Sequence, residues 1–116
     1  MPAHTRALDL ARARLAQQAV SYAFDIAVDE MTSPTRGSAR AALARQIAIY
    51  LTHVAFEISL ARTAEAFGRD RSTAAHACHK VEDRRDDPAF DHCLDELEAC
   101  LRSVPPPSPA RLGQAA

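Results

Sequence analysis

The sequence predicts an all-α fold, a helical bundle containing a helix-turn-helix, and three observations predict it. Hydrophobic residues make up 47% of the 116-residue chain and aromatics only 5%, an alanine-rich composition that suits closely packed helices better than sheets. Apolar residues recur at three- and four-residue steps, and strand-like runs of Val, Ile and Thr are absent. Between Phe67 and Val81 the chain reads FGRDRSTAAHACHKV, which places a helix end, a tight turn and a new helix start in immediate succession.

The elements follow in order. A first helix is expected from about Ala7 to Phe24, with Leu8, Ala11, Leu15, Ala19, Tyr22 and Ala23 near helical spacing and facing a core. Val20, Phe24, Ile26, Val28 and Met31 carry the apolar signal into a short element that ends at the Ser33-Pro34 break. A flexible linker from Thr32 to Ser38, carrying Arg36, comes next. From about Ala39 to Ala55, Leu43, Ile47, Tyr50, Leu51 and Val54 repeat at three- and four-residue steps, an amphipathic helix.

Ser59 is placed to cap a third helix with Leu60, Ala64 and Phe67 inward. Gly68 stands where that helix stops, and glycine leaves a helix through a left-handed turn without a Cβ penalty. Asp70 can cap the following helix, its carboxylate accepting from free N–H groups near Ser72 and Thr73. That helix is expected to bury Ala74, Ala77, Cys78 and Val81 and to open outward with Arg71, Ser72 and Thr73. Pro88 suits the first turn of a last helix with Phe90, Cys93, Leu94, Leu97 and Leu101 on one face. The length fits one domain, expected over residues 1–103. The Pro-rich segment from Val104, PPPSPARLGQAA, cannot bury a core and is expected to be a disordered tail over 104–116.

Composition and charge narrow the function classes. No run approaches the length of a membrane span, and the amino terminus lacks a signal-peptide core, so a cytoplasmic protein is expected. Three cysteines, an odd number, fit reduced thiols in that compartment. The formal net charge is only −1, although nucleic-acid binders usually show a basic balance. The distribution is uneven: residues 36–80 carry seven cations against three anions, and residues 81–100 carry two arginines against eight acids. One face for DNA and another turned away from it, or toward a protein partner, fits that pattern, as does simple solvation of helix faces.

The turn segment carries the chemistry. The first residues of the second helix of a helix-turn-helix meet base edges in the major groove, where arginine reads guanine and hydroxyls serve several bases. A plain helical hairpin with a polar turn shares much of this pattern, so the remainder of the chain has to decide. His76, Cys78, His79, His92 and Cys93 are metal-type ligands without metal-type spacing, since no CxxC pair or second cluster appears. Cys93 and Cys100 lie seven residues apart on the stripe of Leu97 and read as small packing residues. The acids from Glu82 to Glu98 read as a solvated helix face, and no oxyanion-hole or third-residue signal supports catalysis.

Gly68, Arg69, Asp70, Arg71, Ser72 and Thr73, followed by His76-Ala77 and Lys80-Val81, resemble the run GGRDHTTV, then HA, two residues, lysine and an aliphatic residue, in the carboxy-terminal DNA-binding domain of the bacterial replication initiator DnaA. ARQIAIYL at Ala44 to Leu51 is similar to that family's RQ-aliphatic-Ala-aliphatic helix, and Val20 to Met31 match the apolar spacing of its first helices. The resemblance covers roughly residues 12–85.

It implies that Arg45 reaches into the minor groove, that Asp70, Arg71, Ser72 and Thr73 contact bases in the major groove, and that Arg36, Arg40, Arg69, His76 and Lys80 lie near phosphates. The implied partner is double-stranded DNA, with a target similar to the DnaA box. A replication-regulatory protein partner is the alternative, and no cofactor or metal is expected. Three departures bear on the target: one glycine of the family pair is missing, Arg71 replaces the usual histidine, and Ala74 replaces a β-branched residue. The initiator's GxxxxGK[ST] phosphate loop is absent, so the expected activity is regulation of replication initiation or transcription without ATP hydrolysis.

Overall fold

A central helix organises the molecule. In the computed structural model, which describes residues 3–33 and 37–108, the elements are α1 (Ala3–Phe24), α2 (Val28–Thr32), α3 (Ala39–Ala55), α4 (Leu60–Ala66), α5 (Arg71–Arg84) and α6 (Pro88–Ser103). No strand occurs among the described residues. Helix α3 touches all five others, which explains a burial pattern wider than one stripe. Ala41, Ala44, Ile47, Ala48, Ile49, Tyr50, Leu51, Thr52 and Ala55 are buried, whereas Leu43 and Val54 are only half-buried. Thr52 survives there because its hydroxyl donates to the Ala48 carbonyl at 2.7 Å.

Helix α3 runs over the residues its periodicity predicts, and the Ser38 hydroxyl caps it by accepting from the Ala41 amide. It ends where Glu57 takes a left-handed φ of 54°, after which the buried Ile58 accepts from the ring of His53 through its carbonyl. Ser59 then caps α4 by accepting from the Arg62 amide at 3.1 Å.

The first helix starts earlier than expected and turns a different face inward. Ala13, Ala16 and Val20 are buried, while Ala11 and Ala23 are exposed and Tyr22 is 92% exposed. The cause is an ion pair. Asp9 is buried because Arg62 of α4 grips it with two hydrogen bonds, at 2.9 and 2.6 Å. Asp9, Ala13, Ala16 and Val20 therefore set the inward register, and Tyr22 lies about 200° around the helix from Val20. Small Ala13 and Ala16 let α1 approach α3 closely.

The last helix corrects the reading of the acidic segment. Pro88 opens α6 as expected, and Leu94 and Leu101 are buried with Phe90 and Leu97 packed on the core. The acids of this region, however, are not all solvated. Arg85, just past α5, donates to Asp91, to Glu98 at 2.7 Å, to Asp95 and to the Tyr50 hydroxyl at 2.9 Å. Glu98 is itself buried. Cys100 is exposed instead of packing with Cys93, because it projects away from the Leu94–Leu101 face.

Past Ser103 the chain has no helix or strand through Ser108; residues 109–116 of the expected tail lie outside the described residues, as do Pro34 to Arg36 of the linker. Val104, Pro105, Pro106 and Pro107 border a cavity of about 400 Å³ together with Arg12, Phe56 and Leu101.

Candidate nucleic-acid interface

The turn between α4 and α5 is built from three local devices. Gly68 adopts φ +65°, the conformation that glycine enters without strain. The Arg69 amide bonds the Ala64 carbonyl at 2.9 Å and the Gly68 amide bonds the Glu65 carbonyl at 3.1 Å, the paired closure that ends a helix through a left-handed residue. A Cβ on Gly68 would meet nothing within 4 Å, so the backbone angle, not crowding, is what calls for glycine. Asp70 occupies the cap position of α5 with extended backbone, but its carboxylate makes no cap hydrogen bond. The expected side-chain cap is thus corrected. The backbone at this position closes the first turn by itself, through the Asp70 carbonyl and the Ala74 amide, and leaves the carboxylate in solvent.

Helix α5 divides into two faces. Ala74, Ala77, Cys78 and Val81 are buried, as their spacing predicts, and Arg71, Ser72, Thr73, His76 and Lys80 are exposed. Among the described residues none of these five side chains makes a hydrogen bond or ion pair within the protein. Burial, and secondarily the charge of Glu82, pushes the Cys78 thiol up to about 11, so it stays protonated near neutral pH and is a poor nucleophile. Among the described residues no three His, Cys, Asp or Glu side chains come together as a metal site.

Arg45 of α3 and Arg69 of the turn come together. Both border a small cavity of about 60 Å³ with Gln17, Thr32 and Phe67. Arg45 is half-buried, and its Nε donates to the Met31 carbonyl at 2.8 Å. Burial, and next the charge of Arg69, lowers the Arg45 pKa from its ordinary value. Two cations held this close favour the arrival of an anion, which relieves their repulsion. Gln17 and Thr32 were not among the expected site residues, and nothing in the spacing of α1 marks Gln17.

The other two expected phosphate residues divide. Arg40 is exposed but donates to the Phe24 carbonyl, tying α3 to the end of α1, so its side chain already has a structural task. Arg36 lies outside the described residues.

The family model described as the bacterial dnaA protein helix-turn-helix matches residues 5–81. The chain belongs to the DnaA helix-turn-helix family. It is 37% identical over 89 residues to the chromosomal replication initiator protein DnaA of Symbiobacterium thermophilum, a match that covers 75% of this chain and 19% of that protein. It also resembles a crystal structure of a DNA replication initiation factor, with a TM-score of 0.73 and 27% identity over 85% of this chain and 30% of the other. The chain thus corresponds to less than a third of either relative. The family model spans α1 through most of α5, from the Asp9–Arg62 clasp to the exposed face of α5, and stops at Val81, whereas the matches to the two relatives cover more of the chain.

Proposed function

We propose that this chain is a sequence-specific double-stranded DNA-binding module of the DnaA type, acting on replication initiation or transcription without hydrolysing ATP itself. The observation that carries this reading is the leading end of α5, where Arg71, Ser72 and Thr73 are exposed just past Arg69, which shares a small cavity with Arg45. A folded domain that leaves such groups without internal partners presents them to an external one.

In the proposed complex α5 enters the major groove leading end first. Asp70, Arg71, Ser72 and Thr73 meet base edges, with Arg71 suited to the O6 and N7 acceptors of guanine. Because the family's usual residue at that position is histidine, the preferred site is expected to differ there from the DnaA box. Arg45 exchanges its Met31 carbonyl for a narrow, strongly negative minor groove, while Arg69, His76 and Lys80, together with Arg36 and Arg40, lie near phosphates.

The test is direct titration of duplex DNA, followed by variants. Arg71→Ala and Arg45→Ala are each expected to weaken binding by about 1–3 kcal/mol while leaving thermal unfolding in place. Unchanged affinity in both variants overturns the reading.

A second reading, binding of a replication-regulatory protein, is favoured by one observation. Glu82, Asp83, Asp86 and Asp87 are exposed and, among the described residues, form no ion pair. Charge reversal at Glu82 and Asp86 tests it: loss of a complex recovered from cells with DNA affinity retained supports this role. Asp91 and Asp95 are unsuitable for that test because they hold Arg85.

A further inference from the structure

The exposed face of α5 continues beyond the residues that meet bases. Thr73, His76, Lys80 and Arg84 follow one another at steps of three and four, so they share one side of the helix, and all are exposed. At 1.5 Å per residue Arg84 stands about 16 Å from Thr73 along the axis. Arg84 lies three residues past Val81, where the family model ends.

Lys80 and Arg84 border an open groove of about 470 Å³ whose opposite wall is Ala39, Ala42 and Gln46, at the start of α3. Among the described residues neither cation is ion-paired or hydrogen-bonded through its side chain, although Arg85, the next residue, makes contacts to four side chains. Asp83 also borders the groove and opposes an anion. The two cations outnumber it, and the adjoining amino-terminal end of α3 adds the positive pole of a helix dipole. Of the neighbouring acids, Asp91, Asp95 and Glu98 are committed to Arg85, and Glu82, Asp83, Asp86 and Asp87 flank Arg84 in sequence without forming an ion pair with it.

We propose that Lys80, Arg84 and the start of α3 form a second phosphate-binding station, which takes the DNA backbone where α5 leaves the major groove. The inference rests on the DNA-binding reading and deepens it. A helix whose leading residues meet base edges has to cross the phosphate ridge at its far end, and a groove about 12 Å wide is shorter than the stretch from Thr73 to Arg84. Arg84 then fixes register and adds affinity, without adding base preference.

The experiment titrates wild type, Arg84→Ala and Arg84→Lys with a duplex carrying the preferred site, over a range of salt concentrations, with thermal unfolding of each variant. Loss of one phosphate contact is expected to reduce the slope of log affinity against log salt by about 0.9, so the affinity lost between about 50 and 200 mM salt shrinks about threefold. Arg84→Lys keeps the wild-type slope, and Arg84→Ala leaves the order of preference among site variants unchanged. A wild-type slope in Arg84→Ala overturns the station even though DNA binding stands. A lowered Tm with that unchanged slope assigns Arg84 to the helix dipole instead. Absence of any binding by the wild type overturns the DNA-binding reading itself, and the station with it.

Discussion

Two arginines sit at opposite ends of α5 and do opposite things. Arg85, at the trailing end, is saturated: it meets Asp91, Asp95, Glu98 and the Tyr50 hydroxyl, and its guanidinium stacks 5.8 Å from the Tyr50 ring. Burial disfavours its charge, but the hydrogen bonds it donates to Asp91, Glu98 and Tyr50 more than offset that, and its pKa stands above the ordinary value. Arg71, at the leading end, is exposed and has no partner among the described residues. The difference separates a cation used to hold the fold from one held ready for an outside anion. Arg85 fastens α6 to the helix that presents Arg71.

The largest effect is expected on breaking the saturated end. Arg85→Ala leaves the buried Glu98 with only the longer contact to Arg102 at 4.0 Å and strands the Tyr50 hydroxyl, costing about 3 kcal/mol of stability, read as a lowered Tm and an earlier denaturation midpoint. If the comparison is right, DNA affinity measured where the variant is still folded changes little. Arg71→Ala gives the mirror result, with affinity for the preferred site down by about 1–3 kcal/mol and Tm within a degree or two of wild type.

A smaller effect sharpens the same contrast at α1. Asp9→Ala removes the carboxylate that Arg62 grips, and since Arg62 is a third exposed its charge re-solvates, so the loss is expected to be about 1 kcal/mol in chemical denaturation, with binding intact. The smallest concerns the thiols. Cys100 is exposed, Cys93 is half-buried and Cys78 is buried with its thiol pushed up to about 11. A maleimide at neutral pH is therefore expected to label them in that order, and labelling of Cys78 first would mean that α5 is not packed as described.

How much of this was legible in the sequence depends on how local the cause is. The bounds of α3, the Ser59 cap, the Gly68 exit, the Pro88 start and the buried set Ala74, Ala77, Cys78 and Val81 all follow from neighbours within one or two helical turns, and all appear in the structure. The inward face of α1 was not legible, because it is set by Asp9 pairing with Arg62, 53 residues away. The same is true of the acids after Val81: spacing shows them as a charged face, and only the fold reveals that Arg85 gathers three of them. Asp70 shows that a residue type at the right position does not settle a contact. For the site itself, the motif placed Arg71, Ser72 and Thr73 where they are found exposed, but Gln17 and Thr32 beside Arg45 come from elements brought together only by packing.

The central claim is that the bare leading end of α5 is the part that meets DNA. It is tested most directly by mapping genome-wide occupancy of the tagged wild type and then titrating wild type and Arg71→Ala on the top site. Discrete peaks, with at least about tenfold weaker binding by a variant that unfolds at the wild-type temperature, are the predicted result. A flat occupancy profile, or equal affinity of the two proteins for the site, would contradict it.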